Sequence, residues 1–197
     1  MMQRSTATGY AASEASNWLK RYYFLRFAVA AIWVAMAFTV AKESQLLAAV
    51  LLAAYPAWDA VANILDARRS GGLSRNKSQS LNVLVSLVTA AAVGVALGHS
   101  LNAVLAIYGV WAALAGLFQL ATAIGRWRRF GAQWVMILSG AQSALAGIFF
   151  IKMSGGNAPV GIVNVAPYAA FGAFYFLVSA IWLVVADVRR GGDRAPA

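Results

Sequence analysis

The chain has 197 residues, 61% of them hydrophobic and 11% charged, whereas soluble domains are about half apolar and a quarter charged. A chain this short has no core that hides such an excess, so lipid is the expected solvent. Cysteine is absent, which excludes disulfides, thiolate metal sites and cysteine nucleophiles. The net charge of +10 falls in short clusters between apolar runs, which fits membrane orientation and not a nucleic-acid-binding face.

Residues 1–21 are polar and carry no small-residue cleavage site behind a short apolar core. They read as a cytoplasmic tail, disordered or lying on the membrane surface. Six apolar runs follow, each near the roughly 20 residues that a helix needs to cross about 30 Å of hydrocarbon. They are expected at residues 22–40, 46–66, 81–98, 101–125, 133–151 and 167–186. Residues 22–190 then form a transmembrane domain, and residues 191–197 a second cytoplasmic tail.

Positively charged loops resist translocation and so set the orientation. Thirteen of the sixteen Lys and Arg residues lie in the two tails or in the connections after the second and fourth runs, among them Arg68, Arg69, Arg75, Lys77, Arg126, Arg128 and Arg129. The other three connections hold only Lys42 and Lys152. This bias assigns both termini to the cytoplasm. Trp18, Tyr22, Tyr23, Trp127 and Trp134 stand where interfacial aromatics are expected.

The even-numbered runs resemble one another. Trp58 to Leu65, Trp111 to Phe118 and Tyr175 to Trp182 each place an aromatic residue ahead of a small pair, with a basic cluster further on. The fold class expected is all-α: a polytopic membrane protein of six transmembrane helices, built as three repeated helical hairpins. Its third outer turn, residues 152–166, is long enough to hold structure of its own.

Tyr108 to Arg126 and Trp134 to Phe150, together with the arginines that end the even helices and Arg26 near the start of the first, resemble the short-repeat membrane family typified by the HdeD acid-resistance protein. The resemblance covers about residues 22–190. It implies a six-helix protein of the bacterial inner membrane without enzymatic activity, linked in some members to stress or acid resistance. It carries over no catalytic, cofactor or metal residue.

The residues themselves lead to the same place. His99, the one histidine, is expected at an outer turn, where an imidazole suits a pH sensor and where simple hydration is the plainer account. A lone histidine with Glu43 does not make a metal site of three or four ligands. Ala90, Gly94 and Gly98, Ala112 and Gly116, and Ser139, Ser143 and Gly147 form small-residue stripes that let helices approach closely, within the chain or between copies in a homo-oligomer. Gln119 and Gln142 read as interhelical hydrogen-bond groups.

Asp59 is the sharpest feature, because a carboxylate inside an apolar span is costly unless paired. Asn63 and Asp66 continue it as a polar stripe at i, i+4 and i+7, with Asp66 at the hydrated interface. Short linkage makes the first two helices antiparallel neighbours, and the depths of Arg26 and Asp59 then match within a side chain's reach. An Arg26–Asp59 ion pair fixing two helices is the structural reading; a proton relay or a ligand contact is the functional one. At the level of the whole protein, a non-enzymatic membrane protein working through lipid and partners stands beside a small transporter or channel.

Overall fold

Each apolar run becomes a helix. The computed structural model describes residues 2–127 and 133–192. In it α1 spans Met2–Phe38, α2 Gln45–Arg69, α3 Lys77–Ala96, α4 Leu101–Arg126, α5 Gln133–Ser154 and α6 Ile162–Gly192. All six contain a stretch of 20 to 28 residues long and apolar enough to cross a membrane, and no strand occurs among the described residues. Arg128, Arg129, Arg194 and most of the expected second tail lie outside the described residues.

The ends follow local chemistry. Ser44 and Ser100 cap α2 and α4 by accepting from the Leu47 and Ala103 amides, which satisfies donors that the first helical turn leaves open. The link from α2 to α3 turns at Gly71 and Gly72, whose φ angles of 95° and 89° favour glycine over any residue with a Cβ.

Two helices begin earlier than the apolar runs. The segment read as a tail is helical from Met2: it contains no proline, and alanine, the best helix former, recurs along it. Its inner part is also tied down, because Ser16 Oγ and Lys20 Nζ both donate to the Asp187 carboxylate on α6, at 2.9 and 2.6 Å. The long third outer turn shrinks to residues 155–161, because Ile162, Val165 and Ala166 are buried and draw α6 outward by more than a turn.

Pairing differs from the hairpin picture as well. The closest pairs are α4 with α5, α1 with α6, and α2 with α3, whereas α1–α2 and α5–α6 touch sparsely. The helices thus form a ring in chain order, closed by α6 against α1, with two loose seams. Tyr22 and Tyr23, expected at the membrane interface, are buried in the α1–α6 contact beside Ala180 and Leu183. Trp127 and Trp134 are exposed as expected.

Small residues set the tightest contact. Gly109 and Gly116 of α4 meet Gly147 and Gly140 of the antiparallel α5 backbone to backbone. A Cβ added at Gly147 would lie 2.5 Å from the Ala113 nitrogen and from the Gly109 oxygen. The stripe on α3 behaves differently. Gly94 is exposed, and a Cβ there would meet nothing within 4 Å, so its role is not in packing within this bundle.

The half of the bundle nearest the α1–α2, α3–α4 and α5–α6 connections is a packed core of Trp33, Leu52, Val93, Val104, Tyr108 and Val165 with their neighbours. Pro56 shapes it. Lacking an N–H, it leaves the Leu52 carbonyl without its helical donor, and the Tyr108 hydroxyl of α4 donates to that oxygen at 2.6 Å. Trp33 Nε1 likewise donates to the Leu51 carbonyl at 2.8 Å, joining α1 to α2. Neither group is left unsatisfied in an apolar interior, where the deficit would cost about 1–3 kcal/mol.

Candidate functional site

Charge inside an apolar span has to be met by protein, and here α1, α2, α3 and α6 combine to meet it. Arg26 lies ten residues from Ser16 and Asp59 ten residues from Arg69, the ends of their spans, which is about 15 Å along each axis. Their depths therefore match, and Arg26 Nη2 donates to Asp59 Oδ1. The side chains are 14% and 12% exposed, so the pair is held away from water. It sits deeper than the sequence reading placed it.

The contact is single, not the two-pronged fork that arginine can form with a carboxylate. Arg26 Nη1 donates instead to the Tyr22 hydroxyl at 3.1 Å, and the guanidinium lies 4.3 Å from the Phe176 ring centre on α6, a cation–π contact that strengthens when desolvated. The second carboxylate oxygen, Oδ2, accepts from Asn63 Nδ2 at 3.1 Å, Asn82 Nδ2 at 3.0 Å and Ser86 Oγ at 2.9 Å. Ser86 Oγ in turn accepts from Trp111 Nε1 at 3.0 Å. One carboxylate therefore links α1, α2 and α3, and through Ser86 it reaches α4.

Of the residues singled out in the sequence, the structure brings together Arg26, Asp59 and Asn63. Asp66 is buried, not hydrated at an interface, and accepts from Gln79 Nε2 on α3. His99 is exposed in the α3–α4 turn, at the opposite end of the bundle from Asp66. Gln119 and Gln142 make interhelical bonds, Gln119 to the Met136 carbonyl at 3.0 Å and Gln142 from the Tyr175 hydroxyl at 2.7 Å. Ser143 does the same, bonding the Ala112 carbonyl at 2.9 Å and the Tyr168 hydroxyl at 3.0 Å.

Gln79, Asn82 and Ser86 were missed. A signal was present: Gln79, Asn82, Ser86 and Thr89 recur at i, i+3, i+7 and i+10 and are polar on one face of an otherwise apolar helix. All but Asn82 are buried.

The network forms part of the wall of a cavity of about 1020 Å³ lined by all six helices. Its mouth at the basic end carries Glu14, Trp18, Arg69, Asn76 and Gln133, with the Arg69 guanidinium 4.8 Å from the Trp18 ring centre. Its wall carries an aromatic cluster in which Tyr55, Trp111, Tyr168 and Phe150 touch in succession at centroid distances of 5.9, 6.1 and 5.9 Å, and past these rings the lining continues along α6 to Pro167 and Asn164. Four buried polar atoms on cavity-lining residues have no hydrogen-bond partner among the described residues: the donors Trp18 Nε1 and Arg26 Nε, and the acceptors Gln79 Oε1 and Asn82 Oδ1. Most buried polar groups are paired, so four such atoms around one hollow point to an occupant with hydrogen-bonding groups.

No curated protein and no solved structure matches the chain. Residues 81–152, which carry most of α3, the whole of α4 and nearly all of α5, match the family described as a short repeat of unknown function (DUF308), the family to which HdeD-like proteins belong.

Proposed function

We propose that this is a non-enzymatic membrane protein that holds a ligand within its helical bundle. The cavity carries this reading: at about 1020 Å³ it stands at the upper end of small-molecule sites, and its wall combines aromatic rings with a few placed polar groups. Asp59 is the acid at the centre of the network, and its oxygens already accept four side-chain donors. A general base needs a lone pair free to take a proton from substrate, so Asp59 holds helices and shapes the wall instead. Native mass spectrometry of the full chain released from mild detergent should show one retained small molecule per chain. A bare chain under every gentle condition, with the ring of helices collapsed in a density map, would overturn the reading.

The resemblance in the α4 and α5 segments supports an HdeD-like protein of the bacterial inner membrane, serving stress or acid resistance. The distribution of Lys and Arg supports cytoplasmic termini. On this topology, reporters fused at Gly71 and at the carboxyl end read as cytoplasmic, and reporters at Ser44 and Gly156 read as external; one reversed reporter breaks it. Its partners in this reading are membrane lipid and further copies of the chain, not nucleic acid.

A second reading, a small transporter, draws on the same hollow. A cavity between helices whose lining runs from Glu14 and Arg69 at the basic end to Asn164 near the outer start of α6 has the form of a path for a substrate. Proton or ion flux into proteoliposomes above that of empty vesicles is its expected result, and none from well-folded protein excludes it.

A further inference from the structure

The cavity has a second opening. Leu145 and Phe149 on α5 and Phe171 on α6 line it, yet they are 66%, 59% and 52% exposed. Residues that face both the hollow and the outside mark a gap in the wall, and the gap coincides with the sparse α5–α6 seam. Leu145 and Phe149 lie 12 and 16 residues along α5 from Gln133, about 18 and 24 Å from its basic end. At that level an apolar span is surrounded by hydrocarbon, so the slot admits molecules already dissolved in the bilayer.

The interior is polar where the slot is apolar. Arg26, Gln79 and Asn82 carry unpartnered atoms of both kinds, donor and acceptor. The charged lining residues, Arg26 and Arg69 against Glu14, Asp59 and Asp66, give no strong excess of either sign. Resting on the ligand-binding reading above, we infer that the ligand is a membrane lipid: a zwitterionic head group sits among Arg26, Gln79 and Asn82, and an acyl chain leaves between α5 and α6 past Phe149 and Phe171.

Gly172 offers the means to test this. It lines the cavity, and a Cβ added there would meet only the Tyr55 hydroxyl, at 3.7 Å, which is ordinary contact. A larger side chain at this position fills the hollow without forcing helices apart, and a helix interior favours it over glycine.

The full chain is reconstituted in vesicles containing a phosphatidylethanolamine with a photoreactive group in its acyl chain, and labelled positions are mapped. Labelling at Phe149, Phe171 and the Phe118 wall is expected to exceed that at Val95 and Val110, on exposed faces of α3 and α4, and to fall when unlabelled phosphatidylethanolamine is added. In Gly172→Phe the interior labelling is expected to drop by about tenfold, a loss of about 1.4 kcal/mol in binding, with the melting temperature unchanged or raised. Should that variant misfold, Ala146→Phe on α5, also a lining residue, repeats the test from the opposite wall of the slot. Interior labelling that persists in the filled, folded variant, or that never exceeds labelling of the outer faces, overturns the inference. Displacement by water-soluble glycerophosphoethanolamine also overturns it, but leaves the ligand-binding reading standing. A chain that retains no molecule by mass spectrometry and shows no interior labelling loses both.

Discussion

Asp59→Leu is expected to destabilise the protein more than any other single change in the polar network. The substitution strands Arg26 at a depth where a lone charge is costly and removes the acceptor of Asn63, Asn82 and Ser86 together. Breaking a buried pair in this way costs about 3–5 kcal/mol, and the loss of the acceptor of Asn82 and Ser86, while Asn63 keeps the backbone carbonyl of residue 59, places Asp59→Leu at the upper end. Arg26→Met is milder, because the carboxylate keeps three neutral donors. The double variant removes both charges and should lose less than the sum of the singles, with a coupling of about 0.5–3 kcal/mol. Unfolding in mixed detergent micelles measures all three chains. Strictly additive losses would mean that the pair contributes nothing as a pair and that Asp59 is kept for another purpose.

The second large effect is expected at the α4–α5 contact. In Gly147→Leu the first carbon of the new side chain would fall 2.5 Å from two backbone atoms of α4, a distance that no rotamer relieves. The helices must separate, breaking the facing Gly116–Gly140 contact as well, at a cost of about 1–3 kcal/mol or more. Gly94→Leu is the control: with nothing within 4 Å of the added carbon, its effect should stay within about 0.5 kcal/mol. Equal effects of the two substitutions would show that Gly94 also meets a helix, one belonging to another copy of the chain.

The contrast between these glycines shows what the sequence makes legible and what it does not. Six apolar runs with basic ends specify six helices because length and charge are read against a single solvent, lipid. Which face of each helix turns inward is harder to read, because lipid-facing and core-facing surfaces are both apolar. Gly94 and Gly116 stand in equally good small-residue stripes, and only the neighbouring backbone separates them. The same degeneracy hid the pairing of helices: a short link makes α1 and α2 look like partners, while α1 lies chiefly along α6.

Charge escapes this degeneracy. Arg26 and Asp59 stand out in any apolar run, and matching depth was enough to pair them. Neutral polar groups are weaker signals, so Asn82 and Ser86 passed as ordinary helix residues although Asp59 depends on them. Asp66 reads as hydrated because it stands at the end of its span, whereas Gln79 of the next helix donates to it. The hollow itself has no signature in the sequence, because it arises from how far two seams stand open.

Synthesis order gives the α1–α6 contact a further meaning. The groove that α1 occupies is completed by α6, made after the other five helices, and 123 residues lie between Phe38 and Ile162, so at about 5–20 residues per second α1 waits on the order of ten seconds for its main partner. Through that interval its hold on the growing protein is the link to α2, the Trp33 contacts with Leu51 and Tyr55, and the Arg26–Asp59 pair, which can form as soon as α2 has left the ribosome. A contact that is one of many in the finished ring is, in the nascent chain, the clasp that keeps α1 in place until α6 arrives.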